Sequence, residues 1–197
     1  TNTLLGAVTN GGMEVRQDGL LVFNGDVRLT DLYLNQSGVN GFVRQDGGTV
    51  VVANAGSTGF RIAHWPTTGA YTMNGGLLSN ANGRLSVAWD GAGTLTVNGG
   101  TVVTPQLVVN DNGTGGAGIL NLNGGTVVIG GAGLTTVGGP ATVNLNGGTL
   151  SASANWASAL PLIANGTNGA TMVNPAGYTV TLHGALSGTG AVQQAGG

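Results

Sequence analysis

The chain has 197 residues, 41% of them apolar, enough for one domain with a sizeable core and too many for a disordered linker. Glycine contributes 40 positions without an every-third-residue period, which excludes a collagen-type helix. Charged residues are only 6%, with no Lys and a net charge of −2, so no basic surface is available for nucleic acid.

There is no Cys, which excludes disulfides and thiolate metal sites but leaves the redox compartment open. No apolar run approaches the roughly 20 residues of a membrane-spanning helix. Thr1 opens in mid-pattern, with neither an initiator Met nor a signal peptide, as in a mature or excised piece.

Taken in chain order, residues 1–20 carry little pattern and are expected to be irregular, with Asn10-Gly11-Gly12 as a degenerate first copy of a Gly-pair repeat. From residue 21 to 150 the chain repeats, with Asn24-Gly25-Asp26 as the earliest clear copy. Gly pairs then recur at Gly47-Gly48, Gly75-Gly76, Gly99-Gly100, Gly124-Gly125 and Gly147-Gly148, spaced by 28, 24, 25 and 23 residues.

Two residues before each first Gly stand Phe23, Gln45, Met73, Val97, Leu122 and Leu145. Four before it stand Leu21, Val43, Tyr71, Leu95, Leu120 and Val143, with mostly polar residues between the two columns. This alternation predicts a strand with one face inward and one outward, and only Gln45 breaks the apolar columns. A second short strand starts at Thr49, Thr101 and Thr126, and a third apolar run follows at Phe60, Leu85, Leu107 and Leu134.

Three strands in about 24 residues make one rung, whose apolar side is buried only when rungs stack. The fold expected is all-β: a single-stranded, right-handed parallel β-helix, or β-solenoid, forming one domain over residues 1–197. Gly75, Gly99, Gly124 and Gly147 are expected at a corner where other residues fit badly. The residues before them, Asn74, Asn98, Asn123 and Asn146, are expected to stack into an amide ladder. Gly41, Gly69, Gly93 and Gly118 mark a second corner. Residues 151–197 form less regular rungs, with Val180 and Leu182 pointing inward.

The runs G-A-G-T-L-T-V-N-G-G-T-V-V (91–103) and G-A-G-I-L-N-L-N-G-G-T-V-V (116–128) resemble bacterial autotransporter-associated β-strand repeats. The stretches R-I-A-H-W-P (61–66) and S-V-A-W-D-G (86–91) are similar to repeats of large secreted surface proteins of environmental bacteria. The tail at 184–197 looks like the start of another such repeat. The resemblance covers roughly residues 40–197. It implies a β-solenoid in an extracellular or cell-surface setting, used as a stalk, surface layer or adhesive passenger.

Residues suited to chemistry are few. Asp90 and Asp111 follow the third strand of neighbouring rungs and are weighed as a carboxylate pair against solvated loop acids, the second being preferred. Arg84, the nearest Arg, stands before the strand rather than at the corner. His64 and His183 lack metal-ligand spacing, and no catalytic triad, phosphate loop or calcium-binding nonapeptide occurs. Trp65 and Trp89 each lie ten residues before a Gly pair, which predicts stacking in adjacent rungs, as a buried corner or as an exposed sugar platform.

The function expected is therefore that of a non-enzymatic extracellular structural repeat protein, without cofactor or metal, associating head-to-tail with its own copies. The alternatives are an adhesive or carbohydrate-binding module and a polysaccharide-degrading β-helix enzyme.

Overall fold

A computed structural model describes residues 2–4, 8–9, 11–16, 18–34, 38–54, 59–113, 115–166, 171–173 and 177–195. All regular elements among them are strands, and every strand pairing is parallel. The chain winds into stacked three-faced coils, a β-solenoid whose strands pair with copies of themselves about 24 residues away.

Face A is a 9-stranded sheet running from Asn2–Leu4 through Gly41–Gln45, Thr68–Met73, Ala92–Val97, Gly118–Leu122 and Ala141–Leu145 to Leu186–Ser187. Its register joins the columns of the repeat: Tyr71 pairs with Leu95, Leu95 with Leu120, and Leu120 with Val143. These side chains and the parallel column of Met73, Val97, Leu122 and Leu145 are all at 0% exposure, filling the interior. Gln45 shares that column and is also at 0% exposure. Its amide nitrogen donates to the carbonyl oxygen of Leu77 at 3.0 Å, and its oxygen accepts from the Tyr71 hydroxyl at 2.7 Å. A polar residue in a dry core is tolerated because its groups find partners, and burial pushes the Tyr71 hydroxyl pKa upward.

Face B carries the second strands, with Thr49, Leu77, Thr101, Thr126 and Thr149 in one register column. Face C carries the third, with Phe60, Leu85, Leu107 and Leu134 in register. Two strands, Thr101–Asn110 and Thr126–Thr135, run from face B into face C, so those faces form one sheet bent at Pro105. A Cβ at Gly130 would stand 2.9 Å from the Pro105 Cα, so this bend stacks closely on its neighbour.

Within residues 1–20, expected to be irregular, the strands Asn2–Leu4, Val8–Thr9 and Met13–Val15 form a first coil: Leu4 pairs with Phe23, Val8 with Val27 and Val15 with Leu34. Its strands are only two or three residues long, too short for an alternation to register in sequence. Asn10 lies outside the described residues. Gly11 and Gly12 stand between face B and face C rather than at the corner of the later Gly pairs, because they precede Met13–Val15 and not a face-B strand. Val180 and Leu182 pack against the core as expected, with exposed Thr181 between them. Residues 196–197 of the tail lie outside the described residues.

Candidate functional site

Two arrangements of polar side chains span several coils. The first follows face A. At its corner the second Gly of the first four pairs adopts positive φ, 67° at Gly48 and 81° at Gly76, where a Cβ is strained, whereas in the fifth pair it is Gly147 that does so. The first Gly meets the coil beneath: a Cβ on Gly99 would stand 2.5 Å from the Asn74 carbonyl oxygen. Just before this corner the amides form a chain. Asn74 donates to Asp46 at 2.8 Å, and Asn98 to Asn74, Asn123 to Asn98 and Asn146 to Asn123 at 2.9 Å each. Asp46, at the foot, also binds Arg44 at 2.8 Å, and these hydrogen bonds hold its carboxyl below the usual range.

The second arrangement lies on face C. Outward positions of a solenoid strand normally meet water, yet Arg61, Ser86 and Val108, which point away from the core, are at 8%, 0% and 0% exposure. A polar cluster accompanies them. The Arg61 guanidinium lies over the Trp89 ring, 3.5 Å from its centroid, and its Nη1 is 2.6 Å from His64 Nε2. His64 packs against Tyr33 (centroids 4.9 Å apart) and edge-on to Trp89 (6.3 Å). One coil further, Asp111 Oδ2 accepts from Arg84 Nε at 2.9 Å and from the Ser86 hydroxyl.

The electrostatics follow from burial. Guanidinium can only donate, so His64 Nε2 is the acceptor and the imidazole is neutral with its proton on Nδ1. Burial, assisted by the Arg61 charge, pushes the His64 pKa down, and burial also lowers that of Arg61. Burial raises the Asp111 pKa against the opposing pull of Ser86 and Arg84. Arg61 Nε, His64 Nδ1 and Asp111 Oδ1 are buried without hydrogen-bond partners.

The two acids weighed from the sequence take separate partners. Asp90 accepts from Asn112, whereas Asp111 is sealed among Ser86 and Arg84. Arg84, expected before its strand, is instead the first residue of the strand Arg84–Ala88, paired with Gln106 of the next coil, and its side chain reaches Asp111. Trp89 turns back over face C, where it meets Arg61 and His64, while Trp65 is 46% exposed at the corner between faces C and A. Sequence reasoning missed Arg61 and Tyr33. The available signal was a rare Arg at an outward strand position, where the other copies carry Tyr33, Ser86, Val108 and Thr135.

Among the described residues no group of three or more His, Asp or Glu could hold a metal ion, and no helix is long and apolar enough to cross a membrane. No family model, curated protein or solved structure matches the chain.

Proposed function

We propose that this chain is a non-enzymatic structural solenoid of an extracellular or bacterial cell-surface assembly, extended by stacking a second copy of itself coil on coil. The observation that carries this reading is the one-sided pairing of the last face-A strand. Leu186–Ser187 bonds to Leu162–Ala164 and to no other strand among the described residues, and Leu186 is 54% exposed. Open parallel edges are templates for a further strand. The two ends of a coil stack differ, so joining them is head-to-tail and gives an open filament. Nine strands at about 4.8 Å spacing make a rod about 38 Å long. A surface of Thr, Asn and Gly with few charges offers little repulsion to such stacking. The extracellular setting rests on the resemblance to autotransporter-associated repeats.

Sedimentation velocity of the full chain and of a chain lacking residues 184–197 tests this. Head-to-tail oligomers that grow with concentration, and shorten on the deletion while the central coils stay folded, are the expected result. A strict monomer at high concentration would contradict it.

A second reading, an adhesive module that takes carbohydrate, is favoured by one observation: Trp65 is exposed at the corner that also carries His64, beside the Arg61–Trp89 pair. A polysaccharide-degrading site would need acids beside Arg, which Asp111 and Arg84 supply. The Asp111 side chain, however, is at 0% exposure and closed to a substrate.

A further inference from the structure

We propose that the turn at Ala63 and His64 is an acid-triggered latch on face C. When His64 takes up a proton, Arg61 leaves its seat on Trp89 and the turn comes away from the next coil, while the sheets stay folded. The inference is independent of self-association and of carbohydrate binding.

The latch is closed by a contact that only a neutral imidazole can make. Arg61 Nη1 is 2.6 Å from His64 Nε2, and a guanidinium can only donate, so the imidazole nitrogen supplies the lone pair. Protonation turns that nitrogen into a second donor and sets two positive charges at hydrogen-bond distance. Arg61 is at 8% exposure and enters none of the ion pairs among the described residues, so neither water nor a paired carboxylate screens the repulsion.

The groups around the pair do not cancel this. Tyr33 of the preceding coil and Trp89 of the next face the imidazole with their rings, and Trp89 also carries the guanidinium. Asp90 and Glu14 lie within Coulombic reach of His64 and favour its charged form, and Arg84 adds to the positive charge around Arg61, where Asp111 and Asp90 oppose it. Burial and the Arg61 charge outweigh the two acids, so the closed latch holds His64 below its ordinary 6.5.

The backbone provides the second state. Ala63 has φ 54°, the only positive φ of a non-Gly residue among the described ones. An L side chain is disfavoured there and persists only where its neighbours hold it. Here the His64 N–H donates to the Leu34 carbonyl at 3.2 Å, and the Ala63 carbonyl accepts from the N–H groups of Trp89, Asp90 and Gly91 at 3.3, 3.1 and 3.2 Å. A turn that relaxes from this φ gives up all three bonds to the next coil at once, and Trp89 is released with them.

The sign is fixed by which form binds the proton. The open turn leaves His64 in water and takes the proton more readily than the closed one, so the latch is shut above pH 6.5 and opens as pH falls below it.

The test is amide hydrogen exchange of the full chain, followed by NMR at pH 8 and at about pH 5 and corrected for the intrinsic exchange rate at each. Protection at Trp89, Asp90 and Gly91 should fall at least tenfold at the lower pH, while Leu95 and Leu120 on face A keep theirs. His64→Gln, whose side-chain oxygen can accept from Arg61 and takes up no proton, should hold its protection at both values. Unchanged protection at 89–91 in the parent chain would overturn the latch, and the same loss in His64→Gln would overturn the assignment to His64. An equal loss at Leu95 and Leu120 would show global unfolding and overturn a local switch. Titration of the His64 ring signals in the parent chain keeps the test standing if the variant fails to fold: its midpoint should coincide with the loss at 89–91, and a ring that titrates without that loss would contradict the coupling.

Discussion

Face A and face C are built from the same coils and the same parallel ladder, yet they use their outward positions in opposite ways. On face A every inward residue from Tyr71 to Leu145 is buried and apolar, and the residues between them, such as Thr72, Thr96 and Asn121, are only partly buried. On face C the outward residues Arg61, Ser86 and Val108 are buried, with half-buried Tyr33 and Thr135 at the two ends of that column, and the ladder is interrupted. Gly133–Thr135 is not bonded to Trp156–Ser158, and an apolar groove of about 200 Å³ lined by Leu134, Thr136, Ala157 and Leu160 lies between them. A uniform face makes a scaffold. A face that buries charge on its outer side departs from that regularity.

The sharpest way to break this contrast is at a face A corner. A Cβ on Gly118 would overlap the Val109 carbonyl oxygen, a backbone atom that cannot swing aside. Gly118→Ala should cost about 4 kcal/mol or more, or abolish folding, measured by denaturant unfolding. At Gly131 on the face B to face C strand, a Cβ would meet only Ala154 Cβ at 3.6 Å and the Asn155 carbonyl oxygen at 3.7 Å, both ordinary contacts. Gly131→Ala should be nearly neutral, and comparable losses at the two sites would refute the tight stacking at the face A corner.

Next in size is the interior of face A. Leu120→Ala should cost about 2–5 kcal/mol, because its column is closed above and below by Leu95 and Val143. A loss under about 1 kcal/mol would mean that the site collapses easily and that the column is not close-packed.

The amide ladder is worth less per step. Asn98 donates to Asn74 and accepts from Asn123 in solvent-exposed bonds. Asn98→Ala should cost about 1 kcal/mol, and Asn98→Ala with Asn123→Ala should cost less than the sum of the two. Strict additivity would show that the ladder does not act as a chain.

The smallest effect is a pH dependence on face C. His64 is held below its ordinary value of 6.5, so the unfolded chain binds that proton more tightly. Its neutral form contributes stability above pH 6.5, which is lost as pH falls toward its depressed folded value. Asp111 has the opposite sign: its pKa is raised above 3.8, so the folded chain gains stability from this group on acidification toward 3.8. Thermal unfolding from pH 8 to pH 4 should therefore lose its decline near 6.5 in His64→Gln and lose the opposing gain in Asp111→Asn. Unchanged profiles in both variants would mean that the cluster is not buried as described.

Face A was legible in the sequence because its constraint recurs: the corner needs Gly, the interior needs an apolar pair, and copies 23 to 28 residues apart reinforce one another. Gln45 looked like an error in the pattern, and the Tyr71 hydroxyl and Leu77 carbonyl that the next coil brings to it explain it. The first coil escaped detection because its strands span two or three residues. The face C cluster was hidden for a different reason. Arg61, Trp89 and Asp111 come from three successive coils, and each alone reads as an ordinary surface residue. Their meeting depends on register and on a Trp that folds back over its own face, and neither is written in the spacing of the repeat.

The most direct test of the structural account is negative-stain electron microscopy of the full chain at increasing concentration. The account predicts unbranched fibres with an axial repeat close to one subunit, about 40 Å, at the strand spacing of a parallel stack. Dispersed short rods of constant length at every concentration would contradict assembly through the open coil edge.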